Sequence, residues 1–337
     1  MRVVFRADAS LEIGTGHLVR CMTLADELRR HGATATFICR EQPGHLIELT
    51  RSRGFETATI AHEDASLSQV ARLHPDWVVV DDYGLGDAWE TAVRPSTRGI
   101  LAIDDLADRD HDCDLLLDQN LYDGVEQRYA SRLPAHCRQL IGPHYALLRP
   151  EFADARARLS RATKPVSRLL ISFGGIDATN ETARLLSGLK DFPALALDVV
   201  IGPGNPNRAE IQALTSERPG TTLHIGTSRM AALMSEADAF VGAGGSTTWE
   251  RFCLGLPSLV ITVAENQVPT AQHLSKRGAI DYIGRQSDLT PDGLRAALSR
   301  FLADDAGRAR MTELGMKLVD GLGAQRVAQA MIDLTGA

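Results

Sequence analysis

The chain of 337 residues is 44% hydrophobic, 23% charged and 5% aromatic, a composition that excludes disordered and fibrous classes. At about 150 residues per domain it predicts two lobes, each with its own core, and a ligand-holding cleft between them. Acidic residues outnumber basic ones, 43 to 36, so the charge footprint of a nucleic-acid or anionic-lipid partner is missing.

No apolar run approaches the roughly 18 residues of a membrane span, and Met1 to Asp8 reads as a strand rather than a secretory signal. The five cysteines are scattered without a C-x-x-C pair, which predicts reduced, mostly buried thiols rather than a disulfide framework or zinc site. A cytoplasmic protein is expected. The absence of heptads and long apolar edges predicts a monomer.

Short β-rich runs alternate with helical patterns along the chain, the signature of parallel sheets covered by helices on both faces. Strands are predicted at 2–6, 34–39, 77–80, 99–103 and 115–117 and around Leu140. The clearest helix is 16–31: Leu18, Cys21, Met22, Ala25 and Leu28 recur at helical spacing, with cations in the last turn and Gly32 as the stop. A polar, Arg-rich stretch, 151–167, carries no strand signal and marks the domain boundary. A second series follows, with strands at 169–173, 197–201, 222–225, 239–241, 258–263 and 281–283. The tail 289–334 is predicted helical. The expected organisation is an N-terminal lobe over 1–150, a C-terminal lobe over 151–320, and a last helix over 321–337 that crosses back to the first lobe.

In open parallel sheets ligands bind beyond the C-terminal strand ends, where helix N-termini present free N–H groups. After the first strand, Ser10-Leu-Glu-Ile-Gly14-Thr15-Gly16-His17 delivers His17 into the first turn of a helix. The dipole there disfavours a second positive charge, and a neutral imidazole can accept a proton, so His17 is the candidate catalytic base; an ordinary cap-region residue is the alternative. Arg20, one turn on, is either an anion contact or a solvated arginine. Phe173-Gly174-Gly175-Ile-Asp177-Ala-Thr179-Asn180 opens another helix; paired glycines allow close approach of a phosphate, whereas the structural alternative is a tight turn capped by Asp177 or Thr179.

The most informative segment is Gly242-Ala-Gly244-Gly245-Ser246-Thr247-Thr248-Trp249-Glu250. Three glycines and then three hydroxyls between a strand and a helix suit a diphosphate, with Glu250 placed for a ribose diol, and a capped helix alone needs fewer glycines. Ala264-Glu265-Asn266-Gln267 offers amides to sugar hydroxyl or acetamido groups. Asp81-Asp82-Tyr83-Gly84 closes a strand and aims Tyr83 at the cleft. The acid-rich run from Asp104 to Asp114 lacks regular ligand spacing and reads as a solvated loop rather than a metal site; neither metal nor cofactor is expected.

At these residues the sequence resembles the UDP-2,4-diacetamido-2,4,6-trideoxy-β-L-altropyranose hydrolases of pseudaminic acid biosynthesis. The matching segments are Arg6-Ala-Asp8-Ala-Ser10, Ile13-Gly14-Thr15-Gly16-His17-Leu-Val-Arg20-Cys21, the Phe173 to Asn180 loop, Gly242 to Glu250 and Ala264 to Gln267, in the family's order. The resemblance implies an α/β protein of the GT-B type, two Rossmann-like lobes with parallel sheets and a cleft between them, with UDP on the C-terminal lobe and the sugar facing the N-terminal one. It implies that His17 activates or orients water, that Gly16, Arg20 and Tyr83 join the substrate site, and that Gly175 and Asn180 line it. It further implies that Gly244, Gly245, Ser246 and Thr247 hold the diphosphate, Glu250 the ribose, Asn266 and Gln267 the hexose, and the Met230 backbone the uracil. The implied reaction is metal-independent hydrolysis of the anomeric C–O bond with inversion. A glycosyltransferase on the same fold, a hydrolysing UDP-sugar 2-epimerase and a non-catalytic UDP-sugar sensor remain as alternatives, because fold alone does not select among them.

Overall fold

The structure is a computed structural model that describes residues 1–10, 13–122, 124–161 and 164–336. It divides into two compact units, Met1–Arg149 together with Leu322–Ala337, and Pro150–Gly321.

Among the described residues the first unit holds β1 (Arg2–Ala7), β2 (Thr34–Arg40), β3 (Glu56–Ile60), β4 (Trp77–Asp81), β5 (Gly99–Ile103), β6 (Leu115–Asp118) and β7 (Arg138–Ile141). They form one parallel sheet in the order β3-β2-β1-β4-β5-β6-β7. Both faces are buried, which is why the strands read as continuous apolar runs. Val3, Phe5 and Ala7 face one core with Leu18, Met22 and Leu28, whereas Val4, Val78, Val80 and Ile100 face the other. Sequence patterning missed β3: it is the edge strand, half exposed and written Glu-Thr-Ala-Thr-Ile, with too few apolar letters to announce itself.

The helix Gly16–Arg30 ends as its sequence dictates. His31 and Gly32 turn back their amides onto Leu28 and Arg29 carbonyls, and Gly32 takes φ +80°, a left-handed conformation that glycine adopts without a Cβ penalty.

The predicted helical tail is three helices, Pro291–Ala303, Asp305–Leu318 and Gly323–Thr335. The last belongs to the first unit: Val327, Ala328 and Met331 are fully buried in its core, and the Trp77 indole donates to Thr335 Oγ1 at 2.7 Å. Gly323 admits this docking because any Cβ there would stand 2.2 Å from the Ala146 carbonyl.

The second unit holds β8 (Arg168–Ser172), β9 (Ala196–Ile201), β10 (Thr221–Ile225), β11 (Ala239–Ala243), β12 (Ser258–Thr262) and β13 (Asp281–Arg285). Their order is β10-β9-β8-β11-β12-β13, again all parallel. Each sheet therefore reverses its winding once, between β1 and β4 and between β8 and β11, and the loops leaving those strands are where a doubly wound sheet leaves a crevice. No described helix is long and apolar enough to cross a membrane. All five cysteines are free thiols, four of them buried.

Candidate active site

In the first unit, the chain leaving β1 makes a small bridge in which Ser10 and Gly14 exchange backbone hydrogen bonds of 3.2 and 2.9 Å. The Ile13 amide donates to Ser10 Oγ. Leu11 and Glu12 of this loop lie outside the described residues. The bridge sets Gly16 and His17 at the start of the helix, and β4, across the reversal point from that loop, ends in Asp81.

His17 and Asp81 meet there: Nδ1 lies 2.6 Å from Asp81 Oδ1. Arg20 donates to the same carboxylate from Nε and Nη2, both at 2.6 Å, and lies 3.5 Å from Asp105. The Cys21 thiol adds a donor at 3.6 Å. Burial alone would raise the Asp81 pKa, but Arg20 and His17 outweigh it and hold it well below the usual carboxylate range. An ionised carboxylate only accepts, so His17 Nδ1 carries the hydrogen, and the tautomer this selects for a neutral ring is the one with its lone pair on Nε2. Arg20 Nη2 is also 3.2 Å from Nδ1, but neither group has a free lone pair for the other, and both converge on Asp81 Oδ1. For Arg20, burial lowers the pKa and Asp81 more than restores it. The arginine expected as an anion contact or a solvated side chain is thus buried and committed to Asp81 and Asp105. Tyr83 stands edge-on to the imidazole, with centroids 4.7 Å apart and planes at 90°.

A second ion cluster explains the Arg6-Ala-Asp8 segment. Fully buried Arg6 donates to Asp8 at 2.9 Å and to Glu63. Arg40 reaches Asp8 through its amide at 2.7 Å and its Nε at 2.6 Å, and both arginines approach Asp82. The ends of β1, β2 and β4 are clamped together beside His17.

The run from Asp104 to Asp114 is only in part a solvated loop: Asp108 and Asp110 are exposed, and the other acids are buried or half-buried. Asp104 is fully buried and accepts from Tyr129 Oη at 2.9 Å and the Ala107 amide at 2.8 Å. His111 is 2.7 Å from buried Glu90, and Arg94 binds Asp112 and Asp114. Asp104 also pairs with Arg109 inside the run, but Tyr129 and Arg94 come from outside it, pairings invisible to local spacing.

In the second unit the two glycine loops differ. Asp177, at φ +44°, accepts from the Glu181 and Thr182 amides, both at 2.9 Å, so the start of helix Glu181–Gly188 is capped by its own chain. The Gly175 carbonyl accepts from the Gly202 amide at 3.0 Å, and a Cβ on Gly202 would meet it at 2.4 Å. Asn180 donates to Glu210 at 2.7 Å. Here the capped-turn alternative is the one the geometry displays.

The loop after β11 is otherwise. A Cβ on Gly242 would lie 1.9 Å from the Ser172 carbonyl, so that glycine serves strand packing. A Cβ added to Gly245 would find the Gln267 side chain, at 3.9 Å, as its nearest atom beyond its chain neighbours, which leaves room over that backbone and brings together two segments far apart in sequence. Ser246 makes no side-chain cap bond to helix Thr247–Cys253. The three hydroxyls are not equivalent: Thr248 Oγ1 accepts from Arg251 at 2.9 Å and faces inward. Glu250 follows in the same helix, Asn266 is exposed on the turn after β12, and Met230 opens the helix after β10, half-buried. All of these sit at the C-terminal edge of the second sheet.

Sequence reasoning missed three residues: Asp81 as the partner of His17, Gly202, and Arg251. For Asp81 a signal existed, since an acid ending the strand Trp-Val-Val-Val-Asp is buried and buried charges demand partners.

The comparisons with known proteins agree with this architecture. Residues 175–321 match the glycosyltransferase family 28 C-terminal domain. The chain superimposes on Acinetobacter baumannii MurG with a TM-score of 0.64 at 17% identity, over 98% of this chain and 99% of that one. It is therefore a protein of the GT-B fold, and the match to the family 28 C-terminal domain falls within its second unit. Over 82% of its length it is 28% identical to the UDP-2,4-diacetamido-2,4,6-trideoxy-β-L-altropyranose hydrolase of Campylobacter jejuni, covering 97% of that protein. It is 25% identical to the spore coat polysaccharide biosynthesis protein SpsG of Bacillus subtilis over 99% of this chain and 98% of SpsG. It spans 57% of an uncharacterized Methanocaldococcus jannaschii protein, MJ1062, at 26% identity over 79% of this chain. The resemblance drawn from the motifs thus holds across most of the chain.

Proposed function

We propose that the protein hydrolyses a UDP-linked diacetamido-trideoxy hexose at the anomeric C–O bond with inversion, releasing UDP and the free sugar. The observation that carries this reading is the Asp81–His17 pair. Asp81 fixes the imidazole tautomer so that Nε2 takes a proton from water as the oxygen attacks C1 and the C1–O bond to UDP breaks. The electron pair leaves with the β-phosphate, whose second pKa near 6 makes it a tolerable leaving group. Backbone of Gly244 and Gly245 with the hydroxyls of Ser246 and Thr247 holds the diphosphate, Glu250 the ribose and the Met230 backbone the uracil; Asn266 and Gln267 contact the hexose, and Gly16 and Tyr83 frame the base. Gly175 and Asn180 contribute at the loop edge, and Arg20 acts through Asp81. The similarity to the Campylobacter hydrolase supports the substrate class.

A glycosyltransferase using the same donor is the second reading, favoured by the family 28 match. One experiment separates them. The purified protein is incubated in ¹⁸O-water with UDP-2,4-diacetamido-2,4,6-trideoxy-β-L-altropyranose, with UDP-GlcNAc as control, and the products are weighed by mass spectrometry. Label in the sugar and none in UDP is expected. Label in a phosphate would mean attack at phosphorus, and no turnover would favour a transferase awaiting its acceptor.

A further inference from the structure

Arg251 is fully buried in the second unit, and the proposed reaction gives it no task. Its Nη1 donates to the Ala243 carbonyl at 3.0 Å and approaches Thr247 Oγ1 at 3.4 Å. Its Nη2 donates to Thr248 Oγ1 at 2.9 Å. The guanidinium lies over the Phe240 ring, 4.2 Å from its centroid, and Nε has no hydrogen-bond partner. Among the described residues no carboxylate lies within ion-pair distance of it, in contrast to Arg6, Arg20 and Arg94, and Glu250 acts on it only through a charge attraction that burial outweighs. Burial pushes its pKa down to about 9, which leaves the side chain charged at neutral pH. A buried cation without a contacting carboxylate is costly unless something nearby uses its field.

The geometry indicates what does. Arg251 grips the chain at Ala243 on one side and at Thr247 and Thr248 on the other, bracketing Gly244, Gly245 and Ser246. In a planar trans peptide the C=O and the following N–H point in opposite directions. Holding the Ala243 carbonyl toward the guanidinium therefore turns the Gly244 amide away from it. We propose that Arg251 is a positioning residue for an anionic ligand: it sets the Gly244–Ser246 loop in its anion-accepting form and supplies, from beneath, the positive charge that a diphosphate neutralises. This deepens the reading of that loop as the phosphate site.

The test compares binding of UDP, uridine and inorganic pyrophosphate by calorimetry to wild type, Arg251→Met, Arg251→Lys and Thr248→Val, with thermal melts confirming that each is folded. Loss of one buried charge near a dianion is expected to weaken UDP and pyrophosphate by about tenfold or more in Arg251→Met, with uridine unchanged within about twofold and the Lys variant recovering most of the loss. Thr248→Val, which frees Nη2 without removing the charge, should show the same selectivity in smaller degree and serves if the Met variant does not fold. Equal losses for UDP and uridine, or none for either anion, would overturn the proposal, as would a wild type that binds neither anion. Arg251-dependent pyrophosphate binding without UDP binding would uphold it while refuting the nucleotide assigned above.

Discussion

Replacing Asp81 by Asn isolates the electrostatic part of the proposed base. The carboxylate receives His17 Nδ1 and Arg20 Nη2 on one oxygen and Arg20 Nε on the other, all at 2.6 Å. An amide supplies one acceptor and one donor, so whichever way it turns, its NH₂ faces a donor. Turned toward His17, it forces Nδ1 to accept and moves the ring hydrogen to Nε2, which removes the base. Turned toward Arg20 Nε, it keeps the tautomer but withdraws the negative charge that stabilises the imidazolium. A general base is worth about 10²- to 10⁴-fold, and the same exchange in a comparable Asp–His arrangement costs about 10⁴. We expect kcat to fall by about 10³, equivalent to about 4 kcal/mol, with UDP affinity retained. Stability should fall by about 3 kcal/mol, the low end for a broken buried pair, because Arg20 keeps Asp105 at 3.5 Å. Initial rates of UDP release at saturating substrate, UDP calorimetry and a thermal melt measure the three quantities. A folded Asp81→Asn protein turning over within about threefold of wild type would refute the tautomer argument.

Three other outcomes are expected. His17→Asn should cut turnover by about 10²- to 10⁴-fold with UDP binding intact, and near-normal turnover would remove His17 from its role. Gly245→Ala, with no atom beyond its chain neighbours nearer than 3.9 Å to the new methyl, should melt like wild type yet lose about tenfold in UDP affinity if phosphate approaches that backbone, whereas Gly242→Ala, 1.9 Å from a carbonyl, should be destabilised outright; equal melts for the two would contradict the packing argument. Burial raises Asp118 to about 7, so the folded state binds a proton that the unfolded chain releases near the ordinary carboxylate value. Stability is then greatest below about pH 4 as far as this group is concerned and is lost as pH rises toward 7. Asp118→Asn mimics the protonated form, and its melting temperature relative to wild type should be higher at pH 8 than at pH 5; a pH-independent difference would show that Asp118 titrates normally.

Local pattern determined a great deal in this chain. The apolar runs of central strands such as Trp77–Asp81 and Ala239–Ala243, the helix from Gly16 with its glycine stop, and the placement of glycine loops after strands are all consequences of period, capping and turn chemistry, which act over a few residues. The edge strand Glu56–Ile60 escaped because half exposure dilutes that signal. Partner choice was decided only in three dimensions. That His17 meets Asp81, 64 residues away, that Asp112 is tied to Arg94 and Asp104 to Tyr129, and that the last helix seals the first core all depend on strand order. So does the division of labour between the glycine loops, one consumed by its own chain and the other gripped by Arg251 with room left over the Gly245 backbone. A buried charge must find its counterpart wherever the fold brings one, and sequence spacing carries no record of that distance.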